Sequence, residues 1–166
     1  MALVQAAQAG DRAAFGRLFR AYGRLVHGVL LAQVRPPEAE VLMQDVFVTA
    51  LEKIGGLRDG QAFGGWLLAI ARHKVIDHHR ARRPASELSE DLGRPDVDRS
   101  EAERILRAIH ALPEAYRESL ILRLVEGMSG AEIAQEVGLT PESVRVNLHR
   151  GMKLLREKLG LGAGDE

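Results

Sequence analysis

The stretch that decides the fold is Gly130–Arg150, which reads GAEIAQEVGLTPESVRVNLHR. Its first part places Ile133, Ala134 and Val137 at the spacing of one apolar face of a short helix. Gly138 then favours a tight turn, and a second helical pattern follows at once. Two helices joined in this way form a helix-turn-helix, whose second helix presents its outer face to DNA.

The second helix of this motif has a clear start and two distinct faces. Thr140 is a good N-cap, and Pro141 fits the first helical position, where a missing amide costs nothing. Val144 and Leu148 are four residues apart and are predicted to face inward. The predicted DNA-binding face consists of Ser143, Arg145, Val146, His149, Arg150 and Lys153. An ordinary solvated face is the alternative, but the turn, the cap and the basic bias together favour DNA binding.

Apolar residues recur every three or four positions in most of the remaining chain, which is typical of α-helices. Asp11 is a predicted N-cap, and Pro36-Pro37 and Gly55-Gly56 mark breaks. We expect helices over 3–9, 13–34, 38–54, 62–81, 101–111, 114–126, 130–137 and 141–158. The predicted core positions of the helices over 13–34 and 38–54 include Phe15, Leu18, Phe19, Tyr22, Leu25, Val26, Val29, Val41, Leu42, Val46, Leu51 and Ile54.

No stretch of the sequence favours a strand, so the predicted fold class is all-α. Proline, serine, glycine and acidic residues over 84–100 indicate a flexible acidic linker. The chain therefore divides into two small helical domains, at 1–83 and 101–160, joined by that linker. The tail from Gly160 to Glu166 is predicted to be a frayed end.

The composition of the 166 residues excludes several classes of protein. The absence of cysteine removes disulfides, thiolate metal sites and a cysteine nucleophile, and it fits a cytoplasmic protein. We expect no secretion signal and no membrane insertion, because no apolar run approaches the length of a bilayer. No catalytic motif is present, so we predict neither an enzyme nor a cofactor.

The formal net charge of zero hides a strong alternation along the chain. Residues 72–83 hold five Arg and Lys against one Asp, and residues 142–158 hold five against two Glu. Residues 84–103, between them, hold seven acids against two Arg. Two basic segments thus flank an acidic one, and local patches of this kind, rather than the overall charge, govern phosphate binding.

Four segments in order give the chain a family resemblance. LVQAAQAGDRAAFGRLFRAYGRLV, AEVLMQDVFVTALEKI, FGGWLLAIARHKVIDHHRARR and the helix-turn-helix preceded by ALPEAYRESLILRLVEGMS resemble successive regions of extracytoplasmic-function (ECF, group 4) sigma factors of the sigma-70 family. The resemblance spans nearly the whole chain. It implies a transcription initiation factor that binds core RNA polymerase and promoter DNA.

The resemblance also implies which residues meet each partner. The C-terminal helix-turn-helix would read the −35 element as duplex, through the face named above. The −10 strand would meet the loop residue Arg58 and, on the third long helix, Arg72, His73, Lys74, Asp77 and Arg80. The clamp helices of the polymerase β′ subunit would meet Gln44, Asp45, Thr49 and Glu52. An anti-sigma factor that occludes the apolar and clamp-binding surfaces is a further expected partner.

Four positions depart from the usual pattern of that family. Val41 stands where an acid is usual, and His73 stands where Asn is frequent. Val146 and Asn147 stand where many members have Ser and Arg. The resemblance therefore implies that the chain binds the −35 and −10 elements, but it does not indicate which DNA sequences are preferred there.

Several features of the sequence could also be interpreted in other ways. Trp66 among Leu67 and Ile70 favours core packing over a wedge between bases. His73, His78 and His79 do not converge on one helix face, so we predict no metal site. A stand-alone regulator with a helix-turn-helix remains the main alternative, and it would bind duplex DNA unaided, usually as a dimer. A pure interaction module would leave the Arg145 and Arg150 face unexplained.

Overall fold

The computed structural model describes residues 1–82 and 100–162, and all regular elements in these ranges are helical. The helices are α1 (Ala2–Gln8), α2 (Arg12–Leu31), α3 (Pro36–Lys53), α4 (Phe63–Arg82), α5 (Glu101–His110), α6 (Glu114–Leu124), α7 (Gly130–Val137) and α8 (Pro141–Lys158), with short 3-10 turns at Ile54–Gly56 and Gly60–Ala62. The predicted all-α class is confirmed for these residues. The linker predicted over 84–100 lies outside them except for Ser100, as does the tail beyond residue 162.

The N-terminal half, residues 1–82, is built around α2. Helices α1, α3 and α4 all pack against α2, and Val26 and Leu30 of α2 are fully buried. Val46 of α3 and Leu67 of α4 meet them in the same apolar cluster. Burial of each such side chain stabilises the fold by roughly 1.5–3 kcal/mol, which makes this cluster the core of the half.

Helix starts in this half follow from local chemistry. The Asp11 carboxylate accepts hydrogen bonds from the backbone N–H of Ala13 and Ala14 at 2.9 and 3.1 Å, as the predicted N-cap requires. The predicted break at Pro36-Pro37 is partly wrong, because α3 begins at Pro36 itself. Both prolines occupy the first turn of α3, where backbone N–H groups lack helical partners anyway and a fixed φ suits the helix.

The C-terminal half, residues 100–162, contains α5 to α8. Helix α6 packs along α8, and Leu120 and Ile121 of α6 are fully buried. Leu155 of α8 and Ile109 of α5 join them. Helices α7 and α8 form the helix-turn-helix on one side of this group.

The two halves pack directly against each other, a contact that the sequence did not predict. Helix α2 of the N-terminal half lies against α6 of the C-terminal half, and α4 lies against α7. Both apolar clusters cross the boundary. The cluster around Val26 and Leu30 also includes Leu120 and Ile121 of α6. A second cluster joins Leu25, Val29 and Leu68 to Leu122, Met128, Ile133, Ala134 and Val144. The described residues therefore share a core across the two halves.

Three predicted core positions are wrong. Val41 and Leu51 on α3 have 61% and 51% of their surface exposed, and Phe19 on α2 has 41%. Their helical spacing resembles that of buried residues, but Val41 and Leu51 lie on a side of α3 that no described element covers. The Phe19 ring lies 4.5 Å from the Phe47 ring of α3 and is only partly covered. Apolar periodicity detects a stripe on a helix without telling what covers it.

Replacement of Gly138 by alanine tests the turn that joins α7 to α8. Gly138 has φ +73°, a left-handed conformation that disfavours a Cβ, so Gly138→Ala should lower the free energy of unfolding by about 1 kcal/mol. Gly65→Ala is the matched control: that helical glycine has no atom within 4 Å of an added Cβ, and the change should be neutral or stabilising. Urea unfolding measures both, and an equal response of the two variants would contradict this reading of the turn.

Candidate nucleic-acid interface

The first helix of the helix-turn-helix is fixed by a reciprocal cap at its start. The Ser129 hydroxyl accepts from the Glu132 backbone N–H at 3.2 Å, and the Glu132 carboxylate accepts from the Ser129 N–H at 2.7 Å. The hydrogen bonds from Ser129 lower the pKa of the Glu132 carboxyl below its usual value. The sequence prediction did not identify this capping box, although serine followed three residues later by glutamate is its signature.

The second helix of the motif, α8, begins as predicted. The Thr140 hydroxyl oxygen accepts from the Ser143 N–H at 3.1 Å, and Pro141 holds the first helical position. Val144 is fully buried and Leu148 packs partly buried against the same cluster. The inward face of α8 is therefore fixed by the cap at one end and by apolar contact along its length.

The outward face of α8 carries the predicted −35 residues. Ser143, Arg145, His149, Arg150 and Lys153 are all exposed, whereas Val146 is half-buried. Arg145 contacts the Glu142 carboxylate at 3.4 Å, a pair in which both side chains are more than three-quarters exposed. Such a solvent-screened contact contributes little, so the guanidinium is free to exchange it for phosphate or a base edge.

Helix α4 divides into an apolar first half and a basic second half. Phe63 is buried, and the Trp66 ring lies 5.8 Å from the Phe63 ring, so the structure agrees with core packing for Trp66. The predicted −10 residues of α4 follow: Arg72, His73, Asp77 and Arg80 are exposed and Lys74 is half-buried.

The turn before α4 holds the remaining predicted −10 residue. Arg58 is exposed, and the adjacent Asp59 carboxylate accepts from the Gln61 N–H at 2.9 Å. This hydrogen bond caps the 3-10 turn at Gly60–Ala62 and fixes the path of the chain into α4.

Two of the cations on α4 already have carboxylate partners. Arg72 binds Glu118 of α6 at 2.8 Å, across the boundary between the halves. Burial raises the pKa of the Glu118 carboxyl, and the Arg72 charge opposes that effect. Near the end of α4, Arg82 pairs with Glu38 of α3. Carboxylates of the same chain thus partly neutralise the positive charge of this surface.

The basic end of α4 also lines an open cleft of about 680 Å³. The ends of α2, α3 and α5 form its other walls. Its cationic and titratable lining groups are Arg35, Glu38, His78, His79, Arg80, Arg82 and His110. The cleft therefore continues the basic surface of α4 toward the C-terminal half.

Helix α3 carries the predicted polymerase-binding residues on its uncovered side. Gln44, Asp45 and Glu52 are exposed, and Thr49 is half-buried. The apolar residues among them are Val41, Val48 and Leu51, each more than half exposed. Acidic and apolar side chains thus share one surface, which we call the α3 face.

The described residues give no sign of a metal centre or of a membrane span. Across 1–82 and 100–162, no three His, Asp or Glu side chains come together as metal ligands would. None of the helices in those ranges is both long enough and apolar enough to cross a membrane.

Comparison with known families matches both halves of the chain. The pattern described as Sigma-70 region 2 matches residues 18–84, and the pattern described as Sigma-70, region 4 matches residues 102–155. The ECF RNA polymerase sigma factor SigD of Mycobacterium tuberculosis is 35% identical, over 99% of this chain and 85% of SigD. The chain belongs to the ECF sigma factors. It is thus a non-catalytic subunit of RNA polymerase that directs promoter recognition and transcription initiation.

Two further similarities agree with this family. The ECF RNA polymerase sigma factor BldN of Streptomyces coelicolor is 34% identical over 96% of this chain, which spans 65% of the length of BldN. Among solved structures, CnrH in complex with the cytosolic domain of CnrY is similar with a TM-score of 0.65. It is 25% identical, and the match covers 97% of each chain. The family and the all-helical fold predicted from the sequence are confirmed, and the two matched regions fall on the two halves of the structure.

Proposed function

We propose that the chain divides promoter recognition between two helices, α8 for the −35 duplex and α4 for the −10 strand. The observation that carries the proposal is the exposed basic face of α8, held outward by a buried Val144 and a capped start. The match of region 4 to residues 102–155 covers this helix, and the match of region 2 to residues 18–84 covers α4. We propose domain limits at 1–83 and 101–160, with 84–100 as the linker.

The chemistry of α8 suits duplex DNA. Arg145 and Arg150 each present a planar guanidinium that fits the two acceptors of a guanine edge, and Lys153 neutralises phosphate. Ser143 and His149 add shorter hydrogen-bonding groups on the same face. Val146, although half-buried, lies between them and offers a methyl surface to a thymine.

The chemistry of α4 and its preceding turn suits an unpaired strand. Arg72, Lys74 and Arg80 supply positive charge along the strand's phosphates. His73 and Asp77 supply hydrogen-bonding groups for exposed base edges. Arg58 lies in the turn before α4, where we propose that an unstacked base is held.

Removal of the two arginines of α8 should abolish promoter-dependent transcription. Core RNA polymerase mixed with the chain and its native genomic region should give a discrete run-off transcript at fixed salt. Arg145→Ala combined with Arg150→Ala should remove that transcript, because each change deletes a base contact worth about 1–3 kcal/mol.

The matched control is Arg104→Ala combined with Arg107→Ala, which removes the same charge from exposed positions of α5. The control should transcribe like the unchanged chain. Equal loss in both double variants would assign the effect to net charge and contradict a reading role for α8. Tight duplex binding by the chain alone, with no polymerase binding, would instead favour a stand-alone regulator.

We infer that the α3 face binds the clamp helices of the polymerase β′ subunit. Gln44, Asp45, Thr49 and Glu52 provide carboxylate and hydrogen-bonding groups for arginines of the partner. The exposed apolar side chains among them form a surface whose burial against a partner is favourable in free energy. The combination resembles a protein–protein interface, with an apolar centre and a polar rim.

Truncation of one exposed leucine of the α3 face should weaken polymerase binding without unfolding the chain. Leu51→Ala should weaken binding to core polymerase several-fold, because Leu51 is half-exposed and contributes contact area mainly to a partner. Leu161→Ala is the matched control, since Leu161 is 63% exposed and lies beyond α8. Fluorescence titration against core polymerase measures both. Equal affinities would contradict the assignment of the α3 face.

We propose that an anti-sigma factor competes for the α3 face in the cytoplasm, where the polymerase acts. CnrH was solved with the cytosolic domain of CnrY, so a protein of similar fold binds a second protein. Tagged chain recovered from its native cells should bring down polymerase and one other protein in mutually exclusive complexes. Leu51→Ala should reduce both. Recovery of polymerase alone, under every growth condition sampled, would count against such a partner.

A further inference from the structure

Polar contacts reinforce the apolar core between the halves. His110 of α5 donates from Nε2 to the Leu31 carbonyl at 2.6 Å, and Gln33 donates to the Glu114 carboxylate at 3.3 Å. Arg24 of α2 donates to the Glu126 carbonyl at 3.2 Å. These contacts, together with the shared apolar cluster, define what we call the closed arrangement: α6 seated on α2.

The closed arrangement depends on the absence of a side chain at Gly28 of α2. A Cβ built there would lie 2.5 Å from the Leu122 Cδ2 and 3.0 Å from the Glu126 Cγ. Leu122 is fully buried, so it has little room to retreat. Two other glycines lie on the same helix. An added Cβ would meet only the end of Arg20 at 3.9 Å at Gly16, and the end of Met43 of α3 at 3.3 Å at Gly23. Gly28 is therefore the place where α6 approaches α2 most closely among the glycines of α2.

In the closed arrangement, one cation of the proposed −10 surface is paired with a carboxylate of α6. Glu118 of α6 holds the Arg72 guanidinium at 2.8 Å, and Glu118 is largely buried. A phosphate of the −10 strand would need the same guanidinium donors, so Glu118 and the strand compete for Arg72. The face of α8 stays exposed in the same arrangement. The closed arrangement thus engages one cation of the −10 surface and leaves the −35 surface free.

A titratable pair lies at the same boundary. The His27 Nδ1 of α2 is 2.5 Å from the Glu126 Oε1, which belongs to the segment after α6. The Glu40 carboxylate of α3 acts on His27 only through its charge at longer range, and Arg24 of α2 donates to the Glu126 carbonyl. The hydrogen bond from Glu126 raises the pKa of His27, partly offset by burial, and Glu40 raises it further. An imidazolium strengthens the contact with the Glu126 carboxylate, whereas a neutral imidazole does not.

We propose that His27 and Glu126 form a proton-linked latch that holds the chain closed, with Glu118 occupying Arg72, and that the latch weakens as pH rises. This proposal rests on the assignment of Arg72 to the −10 surface made above. It adds a regulatory state of the free chain: the −10 surface becomes fully available when α6 leaves α2.

The sign of the pH dependence follows from where the proton is held. The closed arrangement binds the His27 proton more tightly than the open one, so the latch is fully formed below the ordinary histidine pKa of 6.5. It is lost as pH rises through the raised pKa of the closed arrangement. A single group of this kind changes the closed-to-open ratio by at most about tenfold per pH unit.

Energy transfer between two dyes on the full chain measures closing directly. The chain contains no cysteine, so Arg17→Cys on α2 and Glu157→Cys on α8 give two labelling sites, both exposed and outside every proposed binding surface. Transfer efficiency is followed from about pH 6 to about pH 9, a range that begins below the ordinary histidine pKa. Small-angle scattering of the unlabelled chain at both limits provides a second measurement of the same opening.

Three variants in the labelled chain separate the latch from other pH effects. Glu126→Gln keeps a hydrogen-bonding group but removes the charge, and it should abolish most of the pH dependence. Gly28→Leu should hold the chain open at every pH, while Gly16→Leu makes the same change on the same helix and should behave like the unchanged chain.

The outcomes are distinct. A transfer efficiency that falls as pH rises, and that loses this dependence in Glu126→Gln, supports the latch. Constant efficiency in the unchanged chain, full pH dependence in Glu126→Gln, or a closed Gly28→Leu would each overturn it.

A binding assay without polymerase tests the competition for Arg72. A short fluorescent oligothymidylate is titrated with the free chain at fixed salt, because phosphate contacts are salt-dependent. Glu118→Gln should bind it several-fold more tightly than the unchanged chain, and unchanged affinity would contradict the competition. If run-off transcription fails but transfer efficiency still falls with rising pH as expected, the proposed promoter contacts are wrong and the latch is still supported.

Discussion

Helix α2 contributes side chains to two apolar clusters at once, and the rest of the structure depends on this double role. Val26 and Leu30 face the N-terminal bundle, whereas Leu25 and Val29 join the cluster that includes Leu122 of α6. The last part of α2, from Leu25 to Leu31, is buried except at His27, and such a segment is stable only when it is covered on several sides. The chain therefore places its C-terminal half against α2, at Gly28, where the backbones can approach closely.

This arrangement decides which surfaces remain outside. The α8 face and the α3 face lie away from α2, and neither is covered by any described element. The basic half of α4 is intermediate, because Arg72 is held by Glu118 while His73 and Arg80 stay exposed. The geometry separates the three proposed contacts of a sigma factor: one with polymerase, one with duplex and one with an unpaired strand.

The sequence predicted features that depend on neighbouring residues. Asp11 and Thr140 cap their helices as expected, because a cap needs only a side chain and the amides two or three positions later. Val144 and Leu148 face inward because helical spacing alone puts them on one side. The exposed cations of α8 follow from the same spacing, and the family assignment follows from the order of the motifs.

Features that depend on distant residues were not predictable in the same way. Val41 and Leu51 have the spacing of core residues, and only the folded chain reveals that no described element covers them. The contact of Gly28 with Leu122 joins positions far apart in sequence, and no local pattern marks either one. The pairing of Arg72 with Glu118 is equally remote, so the sequence predicted Arg72 as a DNA-binding residue without its internal partner.

Cleavage of promoter DNA by a reagent tethered to α8 or to α4 would show which helix lies at which promoter element. A single cysteine at His149 of α8, or at His73 of α4, would carry a cutting reagent into the complex of chain, core polymerase and promoter. We expect cuts at the −35 element from position 149 and at the −10 element from position 73, both dependent on polymerase. Cuts from both positions at one element, or the same cuts without polymerase, would contradict this assignment of the two helices.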